Sequence, residues 1–197
     1  VQTCALPISH TVTITDNDAP PSVAFTAGAS SLAEDAGATE LVVELSAVSG
    51  LGVTVPFTCS GTAAPGEDYT VGASPVTIPA GSLSASIDVT ASDDALDESD
   101  ETVEVTLGTP TNAELGTPAT HVVTLTDNDP PPSVAFSQAA LNSLENAGTV
   151  DLVVTLSEVS GLDVTVPFAV AGSAIAPDDY TIDPSPVSIA AGSVSET

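Results

Sequence analysis

The chain repeats itself. Ser22-Val23-Ala24-Phe25 returns 111 residues later as Ser133-Val134-Ala135-Phe136. The same offset carries residues 53–57 onto 164–168, Asp68-Tyr69-Thr70 onto Asp179-Tyr180-Thr181, and Ala80-Gly81-Ser82 onto Ala191-Gly192-Ser193. Near the start, His10 and Asp16-Asn17-Asp18 match His121 and Asp127-Asn128-Asp129. A unit this long is a domain, because solenoid units run to about 20–50 residues. The sequence therefore reads as residues 9–18, the last strand of a preceding repeat; 22–129, a complete repeat; and 133–197, a truncated one. Ala19-Pro20-Pro21 and Pro130-Pro131-Pro132 join them. Proline fixes φ and offers no amide donor, so these are short, stiff connectors. Residues 1–8 fit neither the repeat nor the charge pattern and read as a translated sequencing-adapter artefact. A Cys4–Cys59 disulfide is therefore not expected, and Cys59, replaced by Val170 in the next repeat, reads as a small hydrophobe.

Within the complete repeat, apolar residues recur every second position. Val43, Val55, Phe57, Ile87, Val103, Val105, Val123 and Leu125 are expected to face inward, while Glu44 and Asp88 face solvent. Leu83 and Ala85 share the face of Ile87. Helix is nearly excluded, since no window carries an apolar stripe of helical period. About seven short strands at this spacing predict an all-β chain of tandem antiparallel β-sandwiches.

Charge narrows the function. The net charge is −27, and there is no Lys or Arg. Nucleic acid and anionic membrane both require a positive patch and are excluded as partners. No apolar run approaches the ~20 residues of a membrane span, so no direct membrane insertion is expected. Six of the nine residues of Asp93-Asp94-Ala95-Leu96-Asp97-Glu98-Ser99-Asp100-Glu101 are acidic. A second cluster, Asp127-Asn128-Asp129, follows the last strand-like run. Carboxylates this close repel one another and need solvent, protons or a metal. Hard oxygen ligands on short loops suit Ca²⁺, which takes ~6–8 of them. A solvated acidic loop accounts for the same residues without any ion.

In the order in which they stand, these motifs resemble the Calx-beta domain. They are Ser-Val-Ala-Phe, Glu34 before Gly37, Asp68-Tyr69-Thr70, Ala80-Gly81-Ser82, Asp93-Asp94 with Glu98 and Asp100-Glu101, and Thr126-Asp127-Asn128-Asp129. That family is the calcium-binding module of sodium/calcium exchangers, integrin beta-4 and many bacterial surface proteins. The resemblance implies an immunoglobulin-like sandwich with calcium held at one end by carboxylates from separate loops. The matching positions are Glu34, Asp68, Asp93, Asp94, Glu98, Glu101, Asp127 and Asp129. Two departures lower the carboxylate count: Asn128 stands where an exchanger domain has an acid, and Ala95 ends a run that is longer there.

Other features have ordinary readings. Tyr69 and Tyr180 are expected in the core, and His121 is expected to pack at a strand end. No sugar platform accompanies the paired carboxylates, no Gly-x-Ser-x-Gly elbow or His-based triad is present, and no phosphate loop with Lys exists. The expected function is thus non-enzymatic. It is a calcium-binding repeat of a larger cell-surface or secreted protein, bacterial by resemblance, whose partners are calcium, neighbouring repeats and an adhesion partner. The alternatives are a metal-independent acidic spacer and accessory repeats of a secreted enzyme. Residues 133–197 lack the last two strands, so an exposed sheet edge and an open core are expected there unless residues 9–18 pair into the gap.

Overall fold

The computed structural model describes residues 9–15 and 17–197, so Cys4, Asp16 and the rest of residues 1–8 lie outside it. The complete repeat begins with β1 (Ser22–Phe25), β2 (Ala29–Ala33), a 3-10 turn (Glu34–Ala36), β3 (Ala38–Leu45), β4 (Val53–Val55) and β5 (Phe57–Gly61). It continues through β6 (Tyr69–Val71), β7 (Val76–Ile78), β8 (Ser84–Ala91), β9 (Glu101–Leu107), β10 (Glu114–Leu115) and β11 (Thr120–Thr126). One sheet runs β10-β1-β3-β8-β6 and faces a second, β2-β11-β9-β5; β4 and β7 form a short pair.

The period of two becomes the two layers. Val23, Phe25, Leu41, Val43, Ile87 and Val89 of the first sheet pack with Leu32, Phe57, Val103, Val105, Val123 and Leu125 of the second. All eight residues expected inward are buried in this core. Glu44 and Asp88 face solvent as expected. Leu83 does not share the face of Ile87 in the core; it is exposed, because it precedes β8 in a turn. Tyr69 is buried in the core, and Cys59 is a half-buried free thiol packed against it.

Two details differ from about seven antiparallel strands. The complete repeat has eleven, because expected runs are cut and edge strands are added. Pro56, which has no amide proton, divides one run: β4 before it pairs with β7, and β5 after it pairs with β9. Two edge pairings are parallel, β1 with β10 and β2 with β11. The sandwich itself is unaffected.

The third copy holds β12 (Val134–Phe136), β13 (Val154–Leu156), β14 (Val164–Val166), β15 (Val187–Ile189) and β16 (Ser195–Glu196). Its buried core is Val154, Leu156 and Ile189. An open cleft of about 610 Å³ lies against Phe136, Val154, Phe168 and Val187. Their counterparts Phe25, Val43, Phe57 and Val76 are all core residues of the complete repeat. Residues 9–15, 17 and 18 form no strand, so they do not fill this gap.

Candidate metal centre

The strand register brings separate acidic segments to one end of the complete repeat. In the antiparallel pair β9–β11, Glu101 lies opposite Leu125. Asp127, just past β11, therefore sits beside Asp100, whose Oδ1 accepts its amide at 3.3 Å. β2 runs parallel to β11 with Ala33 opposite Thr126, so the next residue, Glu34, arrives at the same place as Asp127. Tyr69 pairs with Ala91, and the Ser92 amide donates to the Asp68 carbonyl at 2.8 Å. That sets Asp68 beside Asp93 and Asp94. Beside them, Gly61 lets the end of β5 close on β9: with φ near 132°, a Cβ there would lie 2.0 Å from the Thr102 carbonyl oxygen.

Hydrogen bonds set the loops. Asp94 Oδ1 accepts the Leu96 amide at 2.8 Å, closing a local turn. Asp127 Oδ2 accepts the Glu98 amide at 3.1 Å, and its Oδ1 accepts the Asp129 amide at 3.1 Å. Asn128 Nδ2 donates to Asp93 Oδ1 at 3.4 Å. Asp68 Oδ2 accepts the Ala64 amide. These amides orient carboxylates without neutralising them.

Glu34, Asp94 and Asp129 come closest: each offers an oxygen, all within 4.8 Å of one another. Asp129 Oδ2 is buried and has no hydrogen-bond partner. The electrostatics extend the group to its neighbours. Burial first, then Asp127, Asp94, Glu98 and Asp129, push the Glu34 carboxyl up to about 7. Burial, then a hydrogen bond from the protonated Glu101 carboxyl to Asp68 and the charges of Asp68 and Glu98, take Glu101 up to about 7. Glu98 is raised by burial and then by Asp94, Asp68 and Asp127. Asp129 is raised by burial and then by Asp127, Asp93, Asp94 and Glu158. All eight sequence-derived positions thus share one electrostatic neighbourhood, and three of them converge tightly.

This donor set fits a hard divalent cation. It is all oxygen, it contains an orphaned buried carboxylate atom, and the chain has no Lys or Arg to pair with it. His121 plays no part here. It is buried in β11, where Nδ1 donates to the Ala27 carbonyl at 2.7 Å and Nε2 lies 2.8 Å from Ser30 Oγ.

The Calx-beta domain family profile matches residues 16–129 and again 127–192. The chain belongs to the Calx-beta domain family. Solved Calx structures share the fold. The apo-form Calx CBD1 domain is 23% identical, with a TM-score of 0.52, covering 56% of this chain and 100% of that one. The two-domain CBD12 of CALX1.2 is 21% identical at a TM-score of 0.52, covering 88% of this chain and 72% of that one. The calcium binding domain CBD12 of CALX1.1 is 24% identical at a TM-score of 0.52, covering 74% of this chain and 60% of that one. No curated protein matches the chain.

Sequence reading missed residues that join this Calx-beta repeat to the next. Ser160 Oγ donates to Asp97 Oδ2 at 2.9 Å, and the Gly161 amide donates to the Asp97 carbonyl at 3.0 Å. The available signal was the recurrence of Ser49-Gly50 as Ser160-Gly161.

Proposed function

We propose that the acidic end of residues 22–129 binds Ca²⁺, and that this module is a non-enzymatic repeat of a larger secreted or cell-surface protein. The observation that carries the reading is the convergence of Glu34, Asp94 and Asp129 within 4.8 Å in a chain with no basic side chain. Asp93, Asp127, Glu98, Asp68 and Glu101 surround that trio and would supply or support further ligands. That the similar CBD12 of CALX1.1 is a calcium binding domain supports the choice of ion.

The chain's own residues account for the mechanical consequence. Two unit charges 4 Å apart repel by about 4 kcal/mol at an effective dielectric of 20. Several such pairs rival a domain's stability of ~5–15 kcal/mol. Without a cation, the loops separate or Glu34 and Glu101 retain protons. A bound cation supplies the missing positive charge. The ordered Asp93–Glu101 loop then presents Asp97 to the next repeat, so the array of domains stiffens.

The test is a calcium titration of the full chain monitored by melting temperature. Calcium should raise it, a chelator should lower it, and monovalent salt at matched ionic strength should do much less. Asp94→Ala and Asp127→Ala should remove most of the response, whereas Glu44→Ala should leave it intact. Equal shifts from calcium and matched salt would leave an acidic spacer as the function.

A further inference from the structure

The turn at Ser160-Gly161 has a counterpart one repeat earlier on which no described residue is seated. Ser49-Gly50 occupies the same turn in the complete repeat, and the two turns are built alike. Ser49 Oγ accepts the Leu51 amide at 3.0 Å, and Ser160 Oγ accepts the Leu162 amide at 3.1 Å. The Gly81 amide donates to the Ser49 carbonyl at 2.9 Å, and the Gly192 amide to the Ser160 carbonyl at 2.9 Å. The turn therefore forms with or without a loop seated on it.

Among the described residues, only the later turn is covered. Asp97 and Ser160 form a parallel bridge, and Ser160 is 1% exposed while Ser49 is half-buried. Val48 and Leu51 flank the earlier turn at 60% and 61% exposure; Val159 and Leu162 flank the later one at 38% and 39%. This reverses the general trend, because the third copy is elsewhere the more open. The cover also fits closely. A Cβ on Gly161 would stand 2.6 Å from Glu98 Oε1, whereas a Cβ on Gly50 would meet nothing within 4 Å.

We propose that the Val48-Ser49-Gly50-Leu51 turn is the docking surface for the acidic loop of a preceding Calx-beta repeat. Its occupant is a loop like Asp97-Glu98, whose aspartate carboxylate accepts from Ser49 Oγ and whose backbone carbonyl accepts from the Gly50 amide. Three observations select that occupant. The later turn binds this loop through the same atoms. Residues 17 and 18 reproduce the Asn128-Asp129 that close a repeat. The connector Ala19-Pro20-Pro21 has the length of Pro130-Pro131-Pro132, so it sets the same spacing. Each repeat thus carries an acidic loop at one end and a Ser-Gly receptor at the other, and successive repeats share one orientation. This does not rest on the calcium reading.

Amide hydrogen exchange in calcium tests it at two turns. In the present chain, Asp97→Ala should speed exchange at Gly161 and Leu162 by about tenfold or more, while Gly50 and Leu51 do not change. A chain in which a second copy of residues 22–129 replaces residues 1–18 should protect Gly50 and Leu51 by a similar factor. Gly50→Val should abolish that protection in the extended chain and leave the melting of the present chain unaltered. Unchanged exchange at 161–162 in the Asp97→Ala chain would overturn the proposal. So would unchanged exchange at 50–51 on extension.

Discussion

Two stretches of nearly the same sequence end in different physical states. Phe25 is 3% exposed and its counterpart Phe136 is 59% exposed. β3 spans eight residues, whereas β13, within its counterpart, spans three. Yet the local bonds recur. The Ser22 amide donates to Ser46 Oγ at 2.9 Å, and the Ser133 amide to Ser157 Oγ at 2.9 Å. The Phe57 amide donates to Ser74 Oγ at 2.9 Å, and the Phe168 amide to Ser185 Oγ at 2.9 Å. Asp179 accepts the Ile175 amide as Asp68 accepts that of Ala64. What the third copy lacks within this sequence is any counterpart of β8 beyond Ser86 and of β9 to β11, the strands that bring Ile87, Val89, Val103, Val105, Val123 and Leu125 into the core. Turn chemistry is local and survives that loss. Burial needs both layers and does not.

The comparison breaks most visibly at the paired phenylalanines. Phe25→Ala should cost about 3–5 kcal/mol, the usual range for a buried aromatic. Phe136→Ala should cost within about 0.5 kcal/mol, as for an exposed site. Denaturant unfolding followed through each repeat separately distinguishes them. Appending a copy of residues 87–126 to the chain sharpens the test, since the cost at Phe136 should then rise toward that at Phe25.

Calcium should separate the repeats next. The complete repeat should gain roughly 2.7 kcal/mol at 100 times Kd. The third copy keeps only Glu145 and Asp179 of the eight carboxylates, and its exchange rates should not respond except at Gly161 and Leu162, beneath the Asp97 contact. Asp129→Asn should remove much of the gain in the complete repeat, since Asp129 Oδ2 is the orphaned atom.

A smaller effect is expected from pH without metal. Glu34 and Glu101 are raised from 4.5 to about 7 in the folded chain. A raised carboxyl binds more protons folded than unfolded, so its stabilisation is complete below about 4.5 and is lost as pH rises through about 7. Chelator-treated protein should therefore melt lower as pH climbs across that window. The calcium-induced increase should grow over the same window, because the ion then displaces fewer protons. The smallest effect is Glu44→Ala, on an outward face of β3, which should stay within about 0.5 kcal/mol at any calcium level.

Much of the candidate site's acidic character was legible for a physical reason. Carboxylates without basic partners cannot be hidden, so Asp93-Asp94, Glu98, Glu101 and Asp127 stand out in the sequence as clusters. Their order matches a known module. Which three would approach within 4.8 Å was not legible, because Glu34, Asp94 and Asp129 lie far apart along the chain. Asp97 and Glu98 are neighbours in one acidic run, of which the resemblance assigns a role to Glu98 alone. The structure gives them separate work, Asp97 bonding Ser160 and Glu98 lying against Gly161 while its amide bonds Asp127.

By itself the sequence determined the repeat, the inward and outward faces of its strands, and the excess of negative charge, since each depends on residue type and spacing along the chain. Tertiary structure decided what stands next to what. Antiparallel pairing explains why Asp100 and Asp127 meet, but Glu34 reaches Asp127 through the parallel pairing of β2 with β11. Nothing in a period of two distinguishes a parallel neighbour from an antiparallel one. The same limit hid the bond from Asp97 to Ser160: the recurrence of Ser49-Gly50 as Ser160-Gly161 marks the turn, but not what packs against it.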